Sequence, residues 1–128
     1  MSDIRTVGVI GAGQMGAGIA QVAAQAGYDV ILSDIDLARA EKGLAGIAKL
    51  LARGVEKEKM TQAEADATLA RIRPVGAIEP LAEAQLVIEA ATEREEIKRA
   101  IFANVGKLLA PDAILATNTS SIPITRLA

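Results

Sequence analysis

Three glycines, Gly11, Gly13 and Gly16, form the run G-A-G-Q-M-G, and a carboxylate, Asp34, follows 23 residues after the first of them. The G-x-G-x-x-G spacing suits an anion held by main chain. Its first glycine permits a tight turn, its second lets backbone approach a pyrophosphate, and its third lets a helix begin close against a strand. Gln14 and Met15, inside the run, join the glycines as candidate contacts. A carboxylate at the position of Asp34 can accept hydrogen bonds from an adenosine ribose, so the set points to dinucleotide binding; the alternative is a glycine turn that binds nothing. Asp34 also discriminates between dinucleotides. A 2′-phosphate beside it would meet a repulsion of roughly 4 kcal/mol at ~4 Å and an effective dielectric near 20, so NAD is expected over NADP. Arg39 offers a countercharge, but it falls inside the next helix and reads as a solvated helix charge.

The residue types that are missing narrow the chemistry further. There is no Cys, which excludes disulfides, thiolate metal sites and cysteine nucleophiles, and no His, which excludes the usual triads and His-ligated metals. No metal site is expected. The formal charge of -2 lacks the basic excess that nucleic-acid binding requires. No apolar run approaches the length of a membrane span, and Asp3 and Arg5 precede the first strand where a signal peptide would carry its apolar core. A cytoplasmic protein with no membrane partner is the expectation.

The elements that must position these residues follow from periodicity. With 128 residues, 51% hydrophobic and 2% aromatic, the chain suits one domain with an aliphatic core. Thr6 to Ile10 reads as a buried strand, Gln14 to Ala26 as a helix closed by Gly27, and Tyr28 to Ser33 as a second strand. Leu37, Ala40, Leu44, Ile47, Leu51 and Val55 form one stripe on a long helix that Gly54 is expected to end, and Thr61 with Glu64 can form a capping box for another. Residues 37–73 therefore read as a helical hairpin inserted before a weak strand at Arg73 to Gly76. Leu86 to Ala90 and Ala113 to Thr117 are further strands, separated by a helix that Thr92 and Glu95 can cap and whose stripe runs from Ile97 to Leu109. Pro123 suits the first turn of a last helix. Strands alternating with helices imply an α/β, doubly wound parallel sheet of Rossmann type.

Gly11 to Gln21 (G-A-G-Q-M-G-A-G-I-A-Q), Glu89 to Arg94 (E-A-A-T-E-R), Lys98, and Thr117 to Ser121 (T-N-T-S-S) together resemble the 3-hydroxyacyl-CoA dehydrogenases, most nearly the bacterial 3-hydroxybutyryl-CoA dehydrogenases of fatty acid metabolism. The resemblance implies an NAD-dependent oxidoreductase that interconverts 3-hydroxyacyl-CoA and 3-ketoacyl-CoA. It places Glu93 and Lys98 by the cofactor ribose and diphosphate, and Asn118 and Ser120 by the nicotinamide and the substrate oxygen. Ser120 can also cap the helix after it, and Glu95 and Glu96 read as ordinary first-turn carboxylates. Arg53 and Lys57 match the family's basic coenzyme A contacts; the alternative for them is solvated surface. Gly54 and Glu58 stand where members usually carry an aliphatic residue and Gly.

After N-T-S-S the family continues with a catalytic His and a helical domain that carries the dimer interface. The chain is thus expected to be an amino-terminal portion, truncated before the last strand and inactive alone, of a homo-oligomeric protein with an acyl-CoA substrate. The fifth strand would then have an open edge at which the chain self-associates. Competing readings are a stand-alone NAD(H)-sensing or docking module, and another G-x-G-x-M-G dehydrogenase.

Overall fold

The computed structural model describes residues 4–90, 103–109, 113–117 and 125–126. Strand β1 (Thr6–Ile10) leads into helix α1 (Gln14–Gln25), strand β2 (Asp29–Ser33), helices α2 (Leu37–Glu56) and α3 (Gln62–Ala70), and strand β3 (Ile72–Val75). A 3-10 turn at Glu79–Glu83 precedes β4 (Leu86–Glu89), β5 (Ile114–Thr117) and β6 (Thr125–Arg126). These strands form one sheet in the order β3-β2-β1-β4-β5-β6. β1 to β5 are parallel, in the Rossmann arrangement expected. In this topology the chain leaves β1 in one direction along the sheet and β4 in the other, which opens a crevice at the carboxyl ends of the central strands.

Side-chain alternation divides the core between the two faces of the sheet. Val7, Val9, Val30, Leu32 and Ile72 pack with Ala20, Ala24, Ile47, Leu51 and Ala65 of the three helices. Ile10, Ile31, Val87 and Leu115 pack on the other face with Leu81, Val105 and Leu109. Both clusters are aliphatic, and Tyr28 stays exposed. Residues 103–106 are helical, with Val105 buried, as the stripe required; the start of that helix lies outside the described residues.

The helix ends show how short signals act. Gly27, with φ +103°, follows α1; its amide donates to the Ala24 carbonyl at 3.1 Å and that of Tyr28 to Ala23 at 3.2 Å, a Schellman closure. Thr61 and Glu64 make the expected capping box: the Glu64 amide donates to Thr61 Oγ1 at 3.1 Å and the Thr61 amide to Glu64 Oε1 at 3.2 Å. Gly54 does not end α2. The helix continues to Glu56, and the reversal is made by Glu58 at φ +58°, whose amide donates to Val55 at 3.0 Å while that of Lys59 donates to Gly54 at 2.8 Å. Gly54 faces Met60 instead: a Cβ there would stand 3.1 Å from Met60 Cε.

The outer strands of the sheet are β3 and β6. β3 carries Pro74, whose missing donor a central strand would need. The open edge expected on β5 is corrected by β6, which pairs antiparallel with Ile114 opposite Arg126 and Leu115 opposite Thr125. The strand at Thr125–Arg126 also replaces the helix expected after Pro123. An antiparallel neighbour requires only a chain reversal, with no crossover helix, so a short return segment suffices to cover those amides.

Candidate functional site

The site is built from the end of β1 outward. Gly11 leaves the strand at φ +104°, where an L side chain is disfavoured, and its amide donates to the Ser33 carbonyl of β2 at 2.7 Å. α1 then begins directly over the turn: a Cβ on Gly16 would lie 1.6 Å from the Gly11 carbonyl oxygen. Gly13 is the N-cap of α1 and supplies no side-chain acceptor, and the first turn of the helix has no acidic residue. Neither a capping side chain nor a first-turn carboxylate therefore competes with an anion at the start of α1. A Cβ on Gly13 would meet nothing within 4 Å, so the space above this turn is open.

Asp34 is fixed from several sides. The Ser33 hydroxyl before it donates to the Ala77 carbonyl at 2.8 Å, and the Asp34 amide donates to Val75 at 3.2 Å. Its carboxylate accepts from the Ala12 amide at Oδ2 (2.8 Å) and from the Ile35 amide at Oδ1 (2.7 Å). Each oxygen keeps acceptor capacity, so the group is pre-oriented for two adjacent hydroxyls. A cleft of about 580 Å³ opens beside it, lined by Ala12, Gly13, Gln14, Ala17, Asp34, Arg39, Lys42, Gly43 and Gly46.

The structure thus brings Gly13, Gln14 and Asp34 together, with Gly11 and Gly16 buried beneath them as the geometry of the turn. Met15 is not part of this lining; it lines a second groove of about 680 Å³ with Gln14, Ile4, Val22 and Tyr28. Arg53 lies in the last turn of α2 and Lys57 is its C-cap; both are exposed, away from the lining of the Asp34 cleft. Glu93, Lys98, Asn118 and Ser120 lie outside the described residues.

Sequence reasoning missed Lys42, Gly43 and Gly46 and assigned Arg39 to solvent. The signal was their spacing: positions 39, 42, 43 and 46 share one face of α2. Gly43 is what brings that face to the glycine turn, since a Cβ on it would stand 2.6 Å from the Ala12 carbonyl oxygen.

Residues 6–128 match the family model described as 3-hydroxyacyl-CoA dehydrogenase, NAD binding domain. The chain is 51% identical over 125 residues to a 3-hydroxybutyryl-CoA dehydrogenase of Bradyrhizobium diazoefficiens, a match that covers 98% of this chain and 43% of that protein. It is 47% identical over 128 residues to the 3-hydroxyadipyl-CoA dehydrogenase of Escherichia coli, covering 100% of this chain and 27% of that one. The crystal structure of (S)-3-hydroxybutyryl-CoA dehydrogenase from Ralstonia eutropha superposes with a TM-score of 0.91 at 44% identity, over 98% of this chain and 44% of the other. The chain therefore spans less than half the length of these relatives.

Proposed function

Because the chain belongs to the 3-hydroxyacyl-CoA dehydrogenase family, as its NAD-binding domain, we propose that it serves the interconversion of (S)-3-hydroxyacyl-CoA and 3-ketoacyl-CoA. Its substrate on this reading is 3-hydroxybutyryl-CoA, the substrate named for the Bradyrhizobium relative. The observation that carries the proposal is the Asp34 carboxylate, held by the Ala12 and Ile35 amides at the mouth of the cleft that Gly13 and Gln14 also line. The residues fit NAD: Asp34 meets the adenosine ribose, and the glycine turn before α1, with open space above Gly13, meets the diphosphate.

NAD, when bound there, supplies the hydride acceptor for the alcohol carbon. The chain's own residues bind and orient. Family resemblance assigns Glu93 and Lys98 to the ribose and diphosphate region, Asn118 to the nicotinamide, and Ser120 to a hydrogen bond with the substrate oxygen. Arg53 and Lys57, exposed at the far end of α2, offer positive charge to the phosphates of coenzyme A. With no His in its 128 residues the chain has no group suited to take the alcohol proton near neutral pH, so alone it binds cofactor without turnover. The working protein on this reading is a cytoplasmic homo-oligomer. No helix among the described residues is long and apolar enough to cross a membrane.

Calorimetric titration with NAD and NADP tests the reading. NAD should bind several-fold more tightly, and both Asp34→Ala and Asp34→Asn should narrow the difference, the Asn variant while keeping an acceptor for the Ala12 amide. An NADP-to-NAD Kd ratio that neither Asp34 variant narrows would overturn the role given to Asp34.

A further inference from the structure

The cleft beside Asp34 holds more positive than negative charge. Arg39 and Lys42 line it together with Asp34, and they stand three residues apart, on the same face of α2. Among the described residues neither cation has an ion-pair partner closer than 3.7 Å. Among the described residues the only ion pair of Arg39 is a 3.7 Å contact from Nε to Asp36 Oδ2, with both side chains more than half exposed (64% and 54%). The Lys42 side chain forms no ion pair or hydrogen bond among the described residues. Asp34 does not swing across to neutralise them, because both of its oxygens are held by backbone amides. Gly43 keeps α2 against Ala12, which fixes the two cations beside the glycine turn.

We propose that Arg39 and Lys42 form a phosphate-binding rim at the adenosine end of this cleft, which gives the site affinity for 2′-phosphorylated dinucleotides and reduces the discrimination that Asp34 imposes. The proposal rests on the assignment of Asp34 to the adenosine ribose. A 2′-phosphate is esterified to one of the hydroxyls that Asp34 would accept from, so it must sit near Asp34 and within the same cleft as the two cations. Repulsion from one carboxylate is then offset by attraction to an ammonium and a guanidinium, whose planar fork suits phosphate oxygens. The ordinary expectation for an exposed arginine and lysine on a helix is weak interaction with any partner. Here a phosphate delivered by a ligand bound elsewhere in the cleft needs no separate binding event.

The test is calorimetric titration of the parent chain and an Arg39→Gln, Lys42→Gln double variant with NAD, NADP, 5′-AMP and 2′,5′-ADP, each at low and moderate salt. Gln keeps helix propensity at both exposed positions, and circular dichroism checks the fold. The double variant should raise the NADP-to-NAD Kd ratio about fivefold or more, as for loss of roughly 1 kcal/mol of favourable contact, and the 2′,5′-ADP to 5′-AMP ratio in parallel. Affinity for NAD should change less than about twofold, and the extra salt sensitivity of the 2′-phosphorylated ligands should disappear. Equal weakening of NAD and NADP would place the cations on the shared diphosphate and overturn the proposal. An unchanged ratio would overturn it too. A parent chain that binds neither NAD nor 5′-AMP would instead overturn the dinucleotide reading itself.

Discussion

Glu58→Gly should stabilise the protein. The two Schellman closures have the same hydrogen-bond pattern but different residues at the left-handed position: Gly27 after α1 and Glu58 after α2, at φ +103° and +58°. An L residue in that conformation costs about 1–2 kcal/mol relative to glycine. Glycine returns roughly 0.4–1 kcal/mol of that as unfolded-state entropy. Glu58 is exposed and its carboxylate makes no hydrogen bond or ion pair among the described residues, so little else is lost with the side chain. The net gain is about 0.5–1 kcal/mol, or a Tm higher by roughly 2–4 °C for a domain of this size. Urea and thermal unfolding of the parent, Glu58→Gly and Glu58→Ala chains provide the assay. The Ala variant removes the same carboxylate but keeps Cβ and so keeps the strain; it should stay within about 0.5 kcal/mol of the parent. A Gly variant no more stable than the Ala variant would refute the strain argument.

Gly16→Ala places a methyl 1.6 Å from the Gly11 carbonyl, so it should abolish measurable NAD binding by calorimetry and lower the Tm. Thr61→Ala removes the acceptor for the Glu64 amide and should cost about 1 kcal/mol in urea unfolding. The isolated chain given 3-hydroxybutyryl-CoA and NAD should form no NADH above background at neutral pH; turnover on the order of 10 per second, a typical enzyme rate, would mean that a residue other than His serves as the base.

Where a feature is local and chemically distinctive, it can be read from the residues alone. Gly27 and the Thr61–Glu64 pair state their conformations through residue type, and the spacing of Gly11, Gly13, Gly16 and Asp34 gave the turn and the carboxylate that the structure joins by the Ala12–Asp34 hydrogen bond. The end of α2 was hidden because Glu58, at the position that reverses the chain, is not a type that marks positive φ. β6 was hidden for another reason: two residues carry no periodicity, and Thr125–Arg126 becomes a strand only because β5 offers an edge. Arg39 and Lys42 are surface cations by pattern, and only the packing of Gly43 against Ala12 determines that their face borders the cleft.

Helix α2 links two regions that have been described separately. Its first turns carry Arg39 and Lys42 beside the cleft at Asp34, and its last turn carries Arg53. Fourteen residues separate Arg39 from Arg53, which at the α-helical rise is a span of about 21 Å. The helix is thus a ruler pinned at one end by the contact of Gly43 with Ala12. A molecule that touches both ends is measured by its length and by its phase. One residue inserted between positions 46 and 53 would advance the distal cations by only about 1.5 Å but turn them by about 100° around the helix axis, so the phase of the two ends depends on the number of residues between them far more than the distance does.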